Sequence, residues 1–227
     1  MTSENSAVAR AQLKTPKVAG IAGIVSSLLM IAIFWILRTS IPADPLESGA
    51  WLADTKAVVL ALNLIPFAGV AFLWFVGVLR DRLGQKEDRF FATVFFGSAV
   101  LYLAMLFAAA AIVGAVTLVA SSAEQTELIN STTFRVARAT AYVCMNVYAI
   151  KMSAVVMISA STILLYTAIA PRWLAIVGYL LALIVLIGSS YMSWSFVVLP
   201  VWVLLMSVYI LRENLFSGGN KTEGPLQ

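Results

Sequence analysis

The chain of 227 residues is 61% hydrophobic and only 11% charged, and its mean hydropathy is +0.94. Soluble domains carry about 25% charged residues, so the composition excludes a soluble globular protein and predicts an all-α bundle of transmembrane helices. The net charge of +4 does not predict nucleic-acid binding, because the basic residues lie at the ends of apolar runs, where they orient a membrane protein.

Six apolar runs predict six spans, and the roughly 20 residues needed to cross a hydrocarbon core set their expected length. They fall at residues 18–37, 57–79, 90–120, 135–170, 173–190 and 195–211, with polar tails at 1–17 and 212–227 around a single membrane domain, 18–211. The third and fourth spans are longer than a crossing requires. We therefore expect an outward helical hairpin, with a strongly tilted helix pair as the alternative.

Three polar connections separate the early spans, at residues 38–55, 80–89 and 121–134. Pro42 and Pro45 break any helix in the first connection. The second, RDRLGQKEDR, is rich in basic residues and reads as cytoplasmic by the positive-inside rule. With both termini on the cytoplasmic side, the inner basic residues outnumber the outer ones, which favours that orientation.

Prolines interrupt two of the predicted spans. Asn63 and Pro66 lie three residues apart in the second span, on one side of the helix. This pair predicts either a packed kink, in which the amide bonds a neighbouring helix, or a functional position that is a hinge or a ligand contact. Pro200 predicts a further kink in the sixth span.

The fourth span carries polar side chains that are unusual in a membrane helix. At 100° per residue, Arg135, Arg138, Tyr142, Asn146 and Ser153 fall on one stripe. The stripe is a candidate anion- or ligand-binding surface, and the alternative is the solvated outer face of a protruding helix.

Lys151 lies on the opposite side of the same helix. Counting about 20 residues back from Ala170 at 1.5 Å each places it near the outer membrane boundary. Two interpretations remain open. Lys151 pairs with an outer carboxylate, for which Asp54 and Glu47 are the candidates, or it binds an anionic head group.

The sequence lacks the usual catalytic groups. It has no histidine and one cysteine, Cys144, so it cannot form an internal disulfide and offers no typical zinc, copper or haem site. No apolar span contains a carboxylate for acid–base chemistry or proton coupling. We predict no catalytic residue, no metal site and no cofactor.

Two functional hypotheses follow, with a membrane enzyme as the third. The first is a non-catalytic membrane component that is an accessory subunit or self-associates through small-residue helix faces. The second is a transport or binding protein for a small molecule, lipid or ion that uses the stripe of the fourth span. The expected partners are membrane lipids and a second copy or another membrane protein, with no nucleic acid.

The runs LIPFAGVAFLWFVGVLRDRLG, EDRFFATVFFGSAVLYLAMLFAAAA and YAIKMSAVVMISASTILLYTAIAPRW cover most of the spans. They resemble a family of uncharacterised bacterial, often actinobacterial, six-span membrane proteins. The resemblance implies a multi-pass protein of a prokaryotic plasma membrane. It implies no activity, ligand or functional residue.

Overall fold

The computed structural model describes residues 2–47, 49–83, 89–121, 125–167, 171–188 and 194–219. The secondary structure in these ranges is helical, with no strand, which confirms the predicted all-α class. The α-helices are α1 (Thr2–Ser40), α2 (Lys56–Leu83), α3 (Arg89–Ala120), α4 (Gln125–Asn130), α5 (Thr132–Val143), α6 (Ile150–Thr167), α7 (Arg172–Gly188) and α8 (Val198–Gly219). Short 3₁₀ helices lie at Gly49–Ala53 and Ser195–Val197, and a π helix, the π segment, at Cys144–Ala149.

Among the described residues, five stretches are long and apolar enough to cross a membrane: Gly20–Ser40, Lys56–Arg80, Phe90–Ala120, Thr132–Tyr166 and Ser195–Arg212. The fifth predicted span corresponds to α7, which is apolar but has only 17 residues. These helices indicate an integral membrane protein. A helix of 17 residues lies at the lower end of the length range for a crossing.

Helices extend into regions predicted as tails or loops. The first helix continues toward the N-terminus to Thr2, through a segment rich in good helix formers. The second continues to Leu83, and residues 84–88 of the predicted basic loop lie outside the described ranges. The predicted loop 121–134 contains α4 and the start of α5, and α8 runs to Gly219 in the predicted C-terminal tail.

The two prolines predicted to kink spans differ in position. Pro66 lies inside α2, which continues on both sides of it. Pro200 lies in the first turn of α8, directly after the 3₁₀ helix. Pro200 removes no hydrogen bond within α8, because the amides of the first helical turn have no partner in the helix. The kink predicted at Pro200 stays a prediction.

The bundle is ordered α8–α1–α2–α3–α6–α7, and α8 also contacts α6 and α7 to close it. Its core is filled by large side chains that are almost fully inaccessible, among them Phe72, Phe75, Phe95 and Trp202. Glycines allow close approach at two crossings. A Cβ at Gly178 would overlap Ser161 Oγ, and one at Gly23 would overlap Ser207 Oγ.

The third helix and the run α5–π segment–α6 are antiparallel neighbours joined through α4. A second, smaller core lies at the joined end, where Leu52, Val116, Ala120 and Phe134 pack together. The predicted hairpin of two long helices is therefore present as a packed pair. Its joined end is also covered by the connection between α1 and α2.

Candidate ligand-binding cleft

Residues 41–47, here called the strap, fold back over the end of the bundle after α1. Asp44 organises the strap through both its side chain and its backbone. Its Oδ1 accepts a hydrogen bond from the Leu46 N–H at 2.8 Å, and its carbonyl oxygen accepts one from the Glu47 N–H at 3.2 Å. Aspartate favours such local turns, and the prolines at 42 and 45 restrict the strap further.

Arg138 of α5 holds the strap from inside. Its side chain is only 7% exposed. Nη1 donates to the carbonyl oxygen of Glu47 at 2.6 Å, and Nη2 donates to those of Asp44 at 3.1 Å and Pro42 at 3.4 Å. The planar guanidinium fork can bond several carbonyls at once, which a lysine ammonium does less well.

The surroundings of Arg138 offset part of the cost of burying its charge. The guanidinium carbon lies 6.0 Å from the ring centre of Trp51 and 5.9 Å from that of Phe134. Aromatic faces attract cations at this range. The negative charges of Glu47 and Asp44 also act on the guanidinium. Arg138 is therefore a positioning residue for the strap.

A cleft of about 140 Å³ lies beneath the strap, between α1, α2, α3 and the α5–π segment run. Most of its lining is apolar. The floor includes Met30, Gly69, Leu103 and Phe107, and Phe196 closes one side. The lining residues on α1 run from Met30 to Arg38, so at 1.5 Å per residue the cleft extends roughly 12 Å along this helix.

The polar groups of the cleft come from residues that are distant in sequence. They are contributed by Arg38 at the end of α1, Trp51 after the strap, Arg138 and Tyr142 of α5, and Asn146 of the π segment. The Asn146 amide nitrogen donates to the carbonyl oxygen of Tyr142 at 3.2 Å. The cleft therefore combines a long apolar wall with hydrogen-bond donors near the strap.

The structure divides the predicted stripe of the fourth span. Arg138, Tyr142 and Asn146 line the cleft together. Arg135 is exposed and does not line it, and its Nη2 lies 3.4 Å from the carbonyl oxygen of Asn130 at the end of α4. Ser153 is buried away from the cleft and donates to the carbonyl oxygen of Ile150.

Lys151 lies outside the cleft as well. Its Nζ is 3.5 Å from the carbonyl oxygen of Leu186 in the last turn of α7. The carboxylates proposed as its partners have other neighbours: Asp54 accepts from the Lys56 N–H at the start of α2, and Glu47 acts on Arg138. The pairing of Lys151 with a carboxylate stays a prediction.

Asn63 and Pro66 do not reach the cleft, although their neighbours Leu62 and Ile65 line it. Both lie on the exposed face of α2. A hinge at Asn63 and Pro66 would therefore affect the cleft indirectly, by moving Leu62 and Ile65 on the opposite face of α2. The hinge stays a prediction.

Arg38 and Trp51 are polar residues of the cleft that the sequence did not indicate as ligand-binding residues. Arg38 follows the first span directly, and Trp51 is an aromatic residue placed near a membrane boundary. Each pattern is common in membrane proteins and indicates anchoring. Only the packing of the strap shows that both face the same cleft as Arg138.

Comparison with protein-family models, curated proteins and solved structures finds no match to this chain. The site must therefore be interpreted from its own chemistry. Within the described residues, no group of three or more His, Cys, Asp or Glu side chains could hold a metal ion. Cys144 is a half-buried free thiol in the π segment.

Proposed function

We propose that this is a non-catalytic integral membrane protein that binds an amphiphilic molecule in the cleft beneath the strap. The observation that carries the proposal is the distribution of polarity in the cleft. An apolar wall continues to Met30 and Leu103, and two arginines lie near the strap. Ligand sites are commonly apolar, with a few polar groups that fix the orientation of the ligand.

The position of the cleft relative to the bundle supports an amphiphile. Gly20 of α1 packs against Leu211, and Phe34 of α1 packs against Phe196 with ring centres 5.3 Å apart. These contacts align α1 from Gly20 to Phe34 with the stretch Ser195–Arg212, whose 18 residues match a hydrocarbon core in length. Arg38 lies one turn beyond that level. The cleft would then straddle the membrane boundary.

The outward hairpin is part of the proposal. Lys151 meets the last turn of α7, so residues 132–150 continue past the end of α7 by roughly 25 Å at 1.5 Å per residue. The long helix α3 lies beside these residues, because it contacts both α5 and the π segment. If α6 and α7 define the hydrocarbon core, this end of the hairpin stands outside it with the strap packed on its side.

We further propose six spans with both termini in the cytoplasm of a prokaryotic cell, and insertion in its plasma membrane. The 17 residues of α7 extend about 25 Å, which suffices for a crossing with little tilt. The basic residues of the 80–89 connection and of both tails favour this orientation.

The binding proposal is tested by native mass spectrometry of the protein extracted gently from its own membrane. Wild-type protein should retain a small amphiphile. Ala110→Phe fills the cleft and should release it, whereas Ala104→Phe, on the exposed face of the same helix, should not. A wild-type protein without a bound molecule, or an Ala110→Phe variant that retains it fully, would contradict the proposal.

Self-association is the second candidate, and the exposed face of α2 favours it. The Asn63 amide lies on this face among apolar side chains that include Leu60, Phe67 and Trp74. Amides in membrane helices commonly bond across helix interfaces, because lipid offers them no partner. A dimer in the same mass spectra that is lost in Asn63→Leu would support this role, and a monomeric wild-type protein would exclude it.

A further inference from the structure

Building on the proposed function, we infer that the cleft selects an amphiphile with a single hydrocarbon chain and an anionic head group, either a carboxylate or a phosphate. Arg38 and the Trp51 indole N–H are the groups that recognise the head. The chain lies along the apolar wall toward Met30.

The charge of the cleft lining has one sign. Arg38 and Arg138 are its only charged residues, and no carboxylate side chain lines it among the described residues. Arg138 already donates to three strap carbonyls. Arg38 is half-buried and has no hydrogen-bond or ion-pair partner in the described part of the chain. Arg38 is therefore the cation that remains for a ligand.

Trp51 supplies a second observation. Its Nε1 is buried and has no hydrogen-bond partner among the described residues. The indole nitrogen is a donor only, and buried donors in folded proteins are nearly always paired. Nε1 has almost no accessible surface, so a ligand oxygen completes this pairing only after the indole rotates toward the cleft. An acceptor-rich head group suits both Trp51 and Arg38, whereas an ammonium head would leave both without a partner.

The size of the cleft limits the ligand to one chain. Its 140 Å³ is well below the roughly 300–1,000 Å³ of a pocket for a drug-sized ligand, so it admits only a slender molecule. The distance from Arg38 to Met30 along α1 is roughly 12 Å, which matches an extended chain of about ten carbon atoms. A second acyl chain would have to remain in the lipid.

Photo-crosslinking in nanodiscs of zwitterionic lipid tests the inference on the full chain. Three ten-carbon probes, whose chains match the roughly 12 Å from Arg38 to Met30, carry the same photoreactive group at the chain end and differ in the head: a carboxylate, an alcohol or a trimethylammonium group. The carboxylate probe should label the cleft floor near Met30, Leu103 and Phe107. We expect about tenfold more labelling than with the alcohol, since a charge-assisted hydrogen bond distinguishes the two heads.

Variants assign the head-group contact. Arg38→Gln and Trp51→Phe should each lower labelling by the carboxylate probe toward the level of the alcohol, and Arg38→Lys should restore part of it. Arg135→Gln removes an exposed arginine outside the cleft and should leave labelling unchanged. Decyl phosphate should compete with the probe, whereas competition by inorganic phosphate alone would overturn the role of the chain.

The outcomes separate the two proposals. Equal labelling of the floor by all three probes, or preference for the cationic one, would overturn head-group selection and leave amphiphile binding intact. Absence of floor labelling by any probe would overturn both. Unchanged labelling in a folded Arg38→Gln protein would remove Arg38 from the recognition of the head.

Discussion

Replacing Arg138 with alanine should detach the strap from the bundle. The substitution removes three charge-assisted hydrogen bonds, to Pro42, Asp44 and Glu47. A hydrogen bond to a charged group contributes about 1.5–3 kcal/mol. The three bonds share one guanidinium and the freed carbonyls regain water, so we expect a total loss of about 2–4 kcal/mol.

Two measurements check this prediction. The melting temperature in a neutral detergent should fall by roughly 5–15 °C, given about 2–4 °C per kcal/mol for a chain of this size. Hydrogen–deuterium exchange should rise in the strap, because the Leu46 and Glu47 amides depend on the turn at Asp44. Exchange in the core helix α6 should change little below the melting range.

Matched variants identify the cause. Arg135→Ala removes an exposed arginine on the same helix and should change stability by no more than about 0.5 kcal/mol. Arg138→Lys keeps the charge but loses the planar fork, so it should fall between alanine and wild type. If Arg138→Ala melts like the wild-type protein and strap exchange is unchanged, other contacts hold the strap and the reasoning about Arg138 is wrong.

Three further predictions concern the helices of the bundle. Gly178→Val should destabilise by about 1–3 kcal/mol, because its side chain would collide with α6 and α8, whereas Gly97→Ala has open space and should be neutral or stabilising by up to about 1 kcal/mol in the same thermal assay. Deleting Val147 should preserve the melting temperature within a few degrees. A π turn holds one residue more than an α turn, so removing one residue restores α-helical hydrogen bonding, and the helix on either side of the π segment keeps the same faces toward its neighbours. A large loss of stability would show that the π segment is required for folding. Pro66→Ala should raise the melting temperature, since it restores a backbone hydrogen bond in α2. It should slow the dissociation of the carboxylate probe before illumination only if Pro66 is a hinge.

Length and hydropathy were sufficient to predict the helices but not their ends. The third span was predicted at 90–120 and the structure has Arg89–Ala120. Errors concentrate at polar segments such as 121–134, where a short helix forms in spite of a polar composition. Hydropathy gives no periodic pattern in this segment. The short helix α4 depends instead on the packing of Leu128 and Ile129 against the small core around Phe134.

The helical wheel places Arg138, Tyr142, Asn146 and Ser153 on one stripe, and the structure agrees for the first three residues but not for Ser153, which follows the π segment. Arg138, Tyr142 and Asn146 share a face as predicted. Ser153, placed on the same stripe, is buried elsewhere, because the extra residue in the π turn breaks the 100° period between them. A wheel drawn from sequence assumes an uninterrupted α-helix, so it cannot locate such a change.

The contact that defines the site was beyond local sequence patterns. Arg138 meets strap carbonyls that are more than 90 residues away in the chain. Backbone carbonyls carry no residue-specific signal, so no motif marks them as arginine partners. The expectation of an anion near Arg138 was reasonable from charge alone, but the structure assigns that arginine to the strap and leaves Arg38 facing the cleft.

The most direct test of amphiphile binding is an experimental structure of the protein kept in fragments of its own membrane and bound to an antibody fragment for cryo-electron microscopy. Amphiphile binding should give an elongated density in the cleft, with its wide end beside Arg38 and Trp51 and its narrow end toward Met30. A cleft collapsed by inward movement of α3, or one that holds only separate rounded water densities, would contradict it.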